Sequence, residues 1–320
     1  MVRLRRRLAA HAGPGRLRTV VLAGVLAASV LVAGGCGHAK GNAAATSGSG
    51  LRVVAAENFW GSIAAQLGGS KVQLTSVITS PATDPHDYEP TATDARTIAG
   101  AQMVIVNGIG YDPWAPKLIA ANPVSGRIVL DVGDLVGIKP GGNPHRWYSP
   151  SDVQRVIGAI VHDYGRLDSK DAAYFARRQK QFETQSLAQY RQLIATIRRK
   201  YQGVPVGASE SIFAPLAQAL GLKLLTPYSF LKAISEGTEP TAADKTTVDR
   251  QIAQRLIKVW VYNSQNSTPD VKRITEAARK NGVAVTTITE TLTPAEASFQ
   301  DWQSRQLRAL AAALAKATGR

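Results

Sequence analysis

The sequence contains one cysteine, Cys36, among its 320 residues. This scarcity excludes an intramolecular disulfide framework and any zinc or iron–sulfur site built from several cysteines. The chain also lacks a P-loop and an HExxH motif, so it has neither the phosphate-binding loop of an ATPase nor the zinc-binding helix of a zincin protease. The composition is otherwise ordinary, with 44% hydrophobic and 19% charged residues. We therefore do not expect a disordered, collagen-like or multi-span membrane protein, and the length suffices for two lobes.

Acidic residues are fewer than basic ones, with 23 Asp and Glu against 38 Lys and Arg. Six of the basic residues precede residue 20, so removal of that leader would leave 32 and a surplus of nine positive charges. Such a surplus favours anionic membrane or cell-wall surfaces, or nucleic acid, but no obvious block of Lys and Arg follows the leader. Charge alone does not select among these partners, and we expect no nucleic-acid binding.

The N-terminal segment has the organisation of a secretory signal, with an Arg-rich stretch before the uncharged residues 19–35. Cys36 follows the small residues Ala-Gly-Gly directly, which resembles a bacterial lipobox. We predict a signal peptide over residues 1–35, a lipidated Cys36 and a flexible tether over residues 36–50, which would anchor the protein on the extracytoplasmic face of the cell membrane. The alternative is an uncleaved signal anchor, but 17 uncharged residues are short for a bilayer span of about 20.

Short β-rich runs alternate with helical patterns from Leu51 onward, which indicates βαβ units around parallel sheets. We predict two Rossmann-like α/β lobes, over residues 51–168 and 203–320. Residues 169–202 lack a strand signal and carry apolar residues at helical spacing, which predicts one long, rigid connecting helix of roughly 48 Å. We expect this helix to limit hinge motion. The same stripe could be a coiled-coil dimer seam, but it is short and diluted, so we expect a monomer.

Histidine is scarce, at five residues. His86 lies in the loop DPHDYEP, directly after a predicted strand, and His145 lies in GNPHRWYSP. A single His in a proline-rich turn is more often a surface residue than a ligand. Two such loops in one lobe favour a metal site, because imidazole is a common neutral metal ligand and loops at a sheet edge hold ligands in open α/β folds. His162, by contrast, lies opposite the apolar stripe of its predicted helix and should face solvent.

These two loops and the run VVAAENFWGSIAAQLGG resemble the metal-binding lipoproteins of bacterial zinc and manganese ABC importers, the cluster A-I or TroA-like solute-binding proteins. The resemblance extends from about Leu51 to the C-terminus and implies a metal site in the cleft between the lobes. It implies that His86 and His145 are two ligands. The third ligand matches Glu210 in ASESIF. The fourth is usually Asp, and this chain has Glu290 there, in ITETL, which lengthens the side chain by one methylene.

Considered apart from the resemblance, both carboxylates could serve the fold alone. Glu210 could complement the dipole of the helix that follows it, and Glu290 could be a solvated residue before a capping box. As a set, two imidazoles and two carboxylates balance the charge of a divalent cation, and a closed set suits capture better than catalysis. The donor types permit zinc or manganese, with iron as a third option. The chain has no His-rich acidic loop between His86 and His145, which favours manganese.

The resemblance therefore implies a lipid-anchored receptor without catalytic turnover, which passes a divalent metal to an ABC permease driven by a separate ATPase. One alternative is a surface adhesion lipoprotein, whose activity would not need His86 or His145. A second is an exported metallohydrolase, which would show metal-dependent turnover of esters or phosphates. A third is a receptor for haem or a siderophore, against which the paired Pro-His loops argue.

Overall fold

The computed structural model describes residues 50–320. The predicted signal peptide, Cys36 and all but the last residue of the predicted tether lie outside the described residues. None of the helices in residues 50–320 is both long and apolar enough to cross a membrane.

The first part of the described chain alternates strands with helices. Its elements are β1 (Leu51–Glu57), α1 (Asn58–Gly68), β2 (Val72–Ile78), α2 (Ala92–Ala99), β3 (Met103–Val106), α3 (Trp114–Ala121), β4 (Ile128–Asp131), α4 (Val132–Val136) and α5 (Pro150–Leu167). The four strands form one parallel sheet in the order β2-β1-β3-β4. Successive residues of β1 and β3 enter separate apolar clusters on the two faces of this sheet, which is why these strands read as unbroken apolar runs.

The last part of the chain repeats this plan. Its elements are β5 (Pro205–Ala208), α8 (Ala214–Ala219), β6 (Lys223–Leu224), α9 (Tyr228–Ser235), α10 (Ala242–Ala253), β7 (Val259–Asn263), α11 (Pro269–Lys280), β8 (Ala284–Ile288) and α12 (Phe299–Thr318). The strands are again parallel, in the order β6-β5-β7-β8. The prediction of two α/β lobes is thus confirmed. Both sheets lie inside the stretches assigned to the lobes from the sequence, and the limits of the lobes stay a prediction.

The connecting segment is helical over most of its length without being one regular α-helix. It begins with a 3₁₀ turn at Ser169–Asp171, continues as α6 (Ala172–Gln181) and the π-helical segment Phe182–Ser186, and ends with α7 (Ala188–Tyr201). In the π-helical segment the N–H of Leu187 donates to the carbonyl of Phe182, five residues earlier. The extra residue brings Leu187 into the core, whereas its neighbour Ser186 is only half-buried.

One apolar core extends through both lobes. It includes Val53 of β1, Ile157 of α5, Ile197 of the connecting segment, Val206 of β5 and Leu307 of α12. The buried stripe predicted for α5 is confirmed, and His162 is exposed on the opposite side of that helix, as predicted. Because the lobes share this core, the loops at the carboxyl ends of their strands are held in fixed positions relative to each other.

Candidate metal centre

Four of the loops that meet between the lobes follow the carboxyl ends of parallel strands. His86 lies after β2, Tyr111 after β3, Glu210 after β5 and Glu290 after β8. Open α/β sheets bind ligands at this edge, because the loops that leave neighbouring strands converge there. His145 reaches the same place from the loop before α5.

His145 is completely buried, and its ring is held from one side by Asn143. The Asn143 Oδ1 lies 2.8 Å from the His145 Nδ1 and also accepts the backbone N–H of His145 at 3.0 Å. The Asn143 Nδ2 donates to the backbone carbonyl of Ser211 at 2.7 Å, which fixes the orientation of the amide. Because Oδ1 can only accept, Nδ1 of His145 carries the proton and Nε2 presents its lone pair. Nε2 is buried without a hydrogen-bond partner in the described part of the chain.

Glu290 lies directly in front of that lone pair. Its Oε1 is 3.5 Å from the His145 Nε2 and accepts a hydrogen bond from the Asn263 amide at 3.2 Å. Its Oε2 accepts the hydroxyl of Tyr111 at 3.0 Å. Burial opposes ionisation of this carboxyl, yet the positive charge that the His145 and His86 rings carry when protonated, together with the Tyr111 hydroxyl, outweighs it and holds the pKa of Glu290 below its usual range.

His86 completes the N-terminal side of the centre. Its backbone N–H donates to the Asp84 Oδ1 at 2.9 Å, which forms a turn stiffened by Pro85. The ring packs edge-on against Tyr111 with centroids 4.7 Å apart, and its centroid lies 6.5 Å from that of His145. Burial lowers the pKa of His86, which favours the neutral imidazole that binds metals. Its Nε2 is buried without a hydrogen-bond partner among residues 50–320.

Glu210 is the most isolated of the four side chains. It is 1% exposed, and within the described chain neither of its carboxyl oxygens has a hydrogen-bond partner. Burial raises the pKa of Glu210 well above its usual range, the charge of Glu290 raises it further, and the nearby Asn263 and Asn266 offset only part of this rise. A carboxyl in this setting is neutral unless a cation approaches it.

The four predicted side chains therefore lie in the same region of the cleft, but their donor atoms do not converge on one metal position. In the side-chain positions of residues 50–320, no three His, Cys, Asp or Glu groups are close enough to hold a metal ion together. Glu290 has both oxygens engaged by Tyr111 and Asn263, whereas His86, His145 and Glu210 have buried atoms with nothing to bind. Small side-chain rotations into the cleft are needed before all four could contact one ion.

Four residues at the centre were not identified from the sequence: Tyr111, Asn143, Ser211 and Asn263. Asn143 had a local signal, since it stands two residues before His145 in the same proline turn. Tyr111 follows the run Gly-Ile-Gly, in which Ile109 has a positive φ of 61°. This conformation is rare for a β-branched residue and directs the chain back towards the centre. Asn263 ends a buried strand, and only the sheet order reveals that it lies beside the strand leading to Glu290.

Two small cavities flank His86 and give solvent access to the centre. One of about 200 Å³ is lined by Ile109, Asn143, Ser211 and Tyr228 from the two lobes. The other, of about 60 Å³, is lined by Asp84, Asn266 and Glu290 among others. Pockets for drug-sized ligands usually enclose about 300–1,000 Å³, so these cavities suit an ion and its water better than haem or a siderophore.

Comparison with known proteins identifies the family of the chain. A family model described as zinc-uptake complex component A, periplasmic, matches residues 53–313. The chain belongs to this family. Two curated relatives are the manganese-binding lipoprotein MntA of Halalkalibacterium halodurans and the manganese ABC transporter substrate-binding lipoprotein PsaA of Streptococcus pneumoniae. MntA is 23% identical over 230 residues, covering 69% of this chain and 74% of MntA, and PsaA is 25% identical over 263 residues, covering 76% and 81%.

Solved structures show the same fold. The manganese-bound periplasmic metal-binding protein of Candidatus Liberibacter asiaticus superposes with a TM-score of 0.69 at 19% identity, covering 82% of this chain and 99% of that one. A crystal structure of ZnuA gives 0.67 at 20% identity, covering 84% and 99%. Membership of the zinc-uptake component A family confirms two of the predictions made from the sequence: the chain is a metal-binding component of an ABC importer, and it is not an enzyme.

Proposed function

We propose that this protein captures one divalent transition metal, manganese or zinc, in the cleft between its lobes through His86, His145, Glu210 and Glu290. The observation that supports this proposal is the set of buried polar atoms without partners: Nε2 of both histidines and both oxygens of Glu210, all within residues 50–320. Buried polar atoms normally have a hydrogen-bond partner, because leaving them unpaired costs about 1–3 kcal/mol each. A cation would satisfy these atoms together.

The charges of the four groups fit a divalent cation. Two neutral imidazoles and two carboxylates contribute a charge of −2, so the loaded centre would be neutral, as burial requires. Glu290 would exchange part of its hydrogen bonding with Tyr111 or Asn263 for the ion. Glu210 would ionise as the ion arrives, because the cation offsets the burial that keeps its pKa high.

The donor set permits both manganese and zinc, and the comparisons with known proteins name both metals. The family model is described by zinc uptake, whereas MntA and PsaA are described by manganese. Zinc binds nitrogen and oxygen donors more tightly than manganese in the general affinity series, and carboxylates suit manganese better than additional histidines would. Metal-free protein titrated with each ion in competition with a calibrated chelator would give both affinities, and the metal content of protein purified under controlled supply would identify the physiological cargo.

The ligand set is tested by thermal unfolding with and without metal. At a hundredfold excess over the dissociation constant, metal should stabilise the parent by about 2.7 kcal/mol. His86→Ala, His145→Ala and Glu210→Gln should each lose most of that gain. His162→Ala is the matched control, because His162 is exposed on α5, and it should keep the full gain. A parent-like metal shift in any of the three ligand variants would remove that residue from the set.

The lipid anchor and the transport partners complete the proposal. Cys36 would carry the anchor, residues 37–50 would serve as the tether, and the monomeric receptor would deliver its ion to a permease driven by a separate ATPase. The lipobox-like residues before Cys36 and the lipoprotein names of MntA and PsaA support this arrangement. Cys36→Ser should release the protein from the membrane fraction and leave metal binding unchanged. A variant that still partitions fully with membranes would contradict lipidation at Cys36.

A further inference from the structure

The C-terminal lobe has an edge that the metal centre does not use, where its four parallel strands begin. Neighbouring strands are in register there, with Pro205 beside Lys223, and the N–H of Lys258 donates to the carbonyl of Pro205 at 2.8 Å. The connecting segment, α8, α10 and α11 all end at this edge, because each precedes a strand of the sheet. The edge lies on the opposite side of the lobe from the carboxyl ends of the strands, which face the metal centre.

Basic residues far apart in sequence are brought together along this edge, which we call the basic edge. Arg198 donates to the carbonyl of Ala219 at the end of α8, and Arg320, after α12, donates to the carbonyl of Lys200. The guanidinium of Arg255 lies close to Gly282, which follows α11. The basic edge consists of ten exposed side chains: Arg198, Arg199, Lys200, Lys223, Arg255, Lys258, Arg279, Lys280, Lys316 and Arg320.

The basic edge has little compensating acidic charge, and Glu276 of α11 is the carboxylate nearest to it in sequence. The segments that reach it, residues 198–205, 219–223, 253–258, 279–284 and 316–320, contain neither Asp nor Glu. Within residues 50–320, none of the ten side chains forms an ion pair, although ion pairs occur elsewhere in the same lobe. The hydrogen bonds of Arg198 and Arg320 to backbone carbonyls position those two side chains but leave their positive charge in place.

Helix dipoles explain only part of this charge. Basic residues are favoured in the last turn of a helix, where the aligned peptide dipoles leave about half a negative charge. Four helices that precede strands end at this edge, and α12 ends beside them, so the dipoles would offset about two or three positive charges of the ten. Most of the positive charge remains unexplained by the fold.

The N-terminal lobe provides an internal comparison, because the same plan produces the same edge there. Acidic residues accompany the basic ones there, and backbone carbonyls only position the arginines. Lys71 pairs with Asp171 at 2.8 Å, the Arg52 Nε donates to the carbonyl of Gly100, and Arg127 donates to four backbone carbonyls around the ends of α2 and α3. Asp168 adds further negative charge near Lys71. An edge with charge of a single sign is therefore a feature of the C-terminal lobe and not a requirement of this fold.

Two further features make the basic edge suitable for an anionic lipid surface. Leu256 is 44% exposed between Arg255 and Lys258, so an apolar side chain projects from the charged surface. Beside it, a shallow groove of about 520 Å³ is lined by Gln202, Pro205, Lys258, Thr318 and Arg320 among others. Basic side chains that attract lipid headgroups, with an apolar residue that enters the acyl boundary, are the combination that interfacial membrane binding uses.

We propose that the basic edge of the C-terminal lobe docks on the surface of a bilayer that contains anionic phospholipid. Lys and Arg attract the negative headgroups over about a Debye length, and Leu256 and the groove give close contact. This contact is independent of the metal ligands, and it leaves the cleft accessible because the basic edge lies on the other side of the lobe. It would orient the body of the receptor on the membrane.

The test is a lysine-acylation footprint of the full chain on vesicles, read by mass spectrometry. One set of vesicles is phosphatidylcholine alone and the other also contains phosphatidylglycerol. At low salt, acylation of Lys200, Lys223 and Lys258 should slow about fivefold or more on the anionic vesicles, whereas Lys117 and Lys272, exposed away from the basic edge, should react at equal rates on both. The protection should vanish near 1 M salt, where the Debye length is about 3 Å.

A charge variant separates docking from simple proximity to the membrane. Arg255→Gln with Lys258→Gln removes two exposed, unpaired charges and should weaken the contact by about fivefold per charge, so protection at Lys200 and Lys223 should fall. The control, Lys117→Gln with Lys139→Gln, should keep the protection. Equal protection on both kinds of vesicle, protection that survives in the Arg255 and Lys258 variant, or protection by soluble polyphosphate but not by anionic vesicles would each overturn the proposal, the last by favouring a soluble polyanion.

Discussion

The amide of Asn143 performs two tasks at once. Its oxygen holds the proton on the His145 Nδ1, and its nitrogen donates to the Ser211 carbonyl in the other lobe. The first contact leaves Nε2 as the imidazole nitrogen that faces the cleft. The second contact ties Asn143 to the C-terminal lobe, so the orientation of the His145 ring depends on how the two lobes are packed. Partners that orient a ligand in this way commonly contribute a factor of about 10–100 to metal affinity.

Asn143→Ala should therefore weaken metal binding by about 10–100-fold without removing a ligand. Competition titration of the metal-free protein would measure this change, and the ¹⁵N shifts of the His145 ring would show whether the tautomer preference is lost. Asn281→Ala is the control, because Asn281 only caps α11 through the carbonyl of Ala277. An unchanged ring spectrum in Asn143→Ala would show that Asn143 does not fix the tautomer and would assign that role to the Ser211 hydroxyl, 3.3 Å from Nδ1.

The resemblance to metal-binding lipoproteins places Glu290 at a position where Asp is expected, and its carboxylate accepts hydrogen bonds from Tyr111 and Asn263. Glu290→Asp should be tolerated, because the shorter carboxylate can still reach the ion from the end of β8. Glu290→Ala should weaken binding, since it removes one of two negative charges. The metal-induced shift in melting temperature distinguishes these cases. If Glu290→Ala shifts as much as the parent, the fourth donor is a water or another residue.

Glu57 and Asp112 form a second pair of buried carboxyls, at the end of β1 and in the loop that carries Tyr111. Burial raises the pKa of Glu57 well above its usual range, and the neighbouring Asp112 raises it further. Burial also raises the pKa of Asp112 to about 6, although it accepts the N–H groups of Asn107 and Gly108. Both groups bind protons more tightly in the folded state, so stability is lost as pH rises from about 4 through 6 at Asp112, and as pH rises through the raised pKa of Glu57.

Glu57→Gln should raise the free energy of unfolding above pH 6, by about 1–3 kcal/mol, because the amide imitates the protonated acid. Urea unfolding between pH 5 and pH 8 would show a flatter pH profile than that of the parent. Glu89→Gln, at an exposed carboxyl, should leave the profile unchanged. Parallel profiles for Glu57→Gln and the parent would exclude a raised pKa at this residue.

The four candidate ligands were predicted on two different grounds. The proline turns of His86 and His145 favour a metal site by themselves, whereas Glu210 and Glu290 were predicted only through the resemblance to metal-binding lipoproteins. The hydrogen-bond partners could not be predicted in the same way. Tyr111 reaches Glu290 across 179 residues and Asn143 reaches Ser211 across 68, so these contacts exist only once both lobes are folded.

At the level of the elements, helix α1 packs closely on strand β2. A Cβ atom at Gly68 would lie 2.4 Å from the Cβ of Val72, which is fixed to the backbone and cannot rotate away. The alternation of strands and helices could be predicted from the sequence because these strands are apolar on both faces. The π-helical segment could not be predicted, since a single extra residue leaves the apolar stripe of the connecting segment almost unchanged and moves only Leu187 into the core.

Gly68→Ala should destabilise the protein by about 1–3 kcal/mol, because helix and strand must separate to admit the methyl group. Gly158→Ala is the matched control. Gly158 lies inside α5 with open space around it, so the same substitution should stabilise by about 0.5–1 kcal/mol through helix propensity. Urea unfolding midpoints would measure both. A neutral Gly68→Ala would show that α1 can shift on the sheet at little cost.

At the level of the whole molecule, folding concentrates much of the surplus positive charge on one surface. Along the sequence the basic residues are dispersed, with no block after the leader. The parallel sheet gathers ten of them at one edge, because every βα unit returns its helix end to the same side. Such a surface is not apparent from the order of residues along the chain, and it becomes apparent only from the order of the strands in the sheet.

The polar contacts between the lobes bear on how far the molecule can open. The hydroxyl of Tyr148 donates to the carbonyl of Thr289, next to Glu290, and the N–H of Phe299 donates to the hydroxyl of Ser62, so residues far apart in sequence are joined across the lobes. The apolar core continues beneath these contacts from β1 to α12. Wide hinge opening would expose part of that core to water, at about 25 cal/mol for each Å².

We therefore expect metal to change loops and side chains around the cleft, and not the separation of the lobes. Small-angle scattering of the full chain should give the same radius of gyration with and without manganese or zinc. Magnesium, which prefers an octahedral set of oxygen ligands, controls for the effect of a divalent salt. Hinge closure of the kind seen in many ligand-binding proteins would lower the radius of gyration on loading. A large decrease with manganese or zinc but not with magnesium would show that the lobes separate in the metal-free protein, and that their shared core opens to let the ion in.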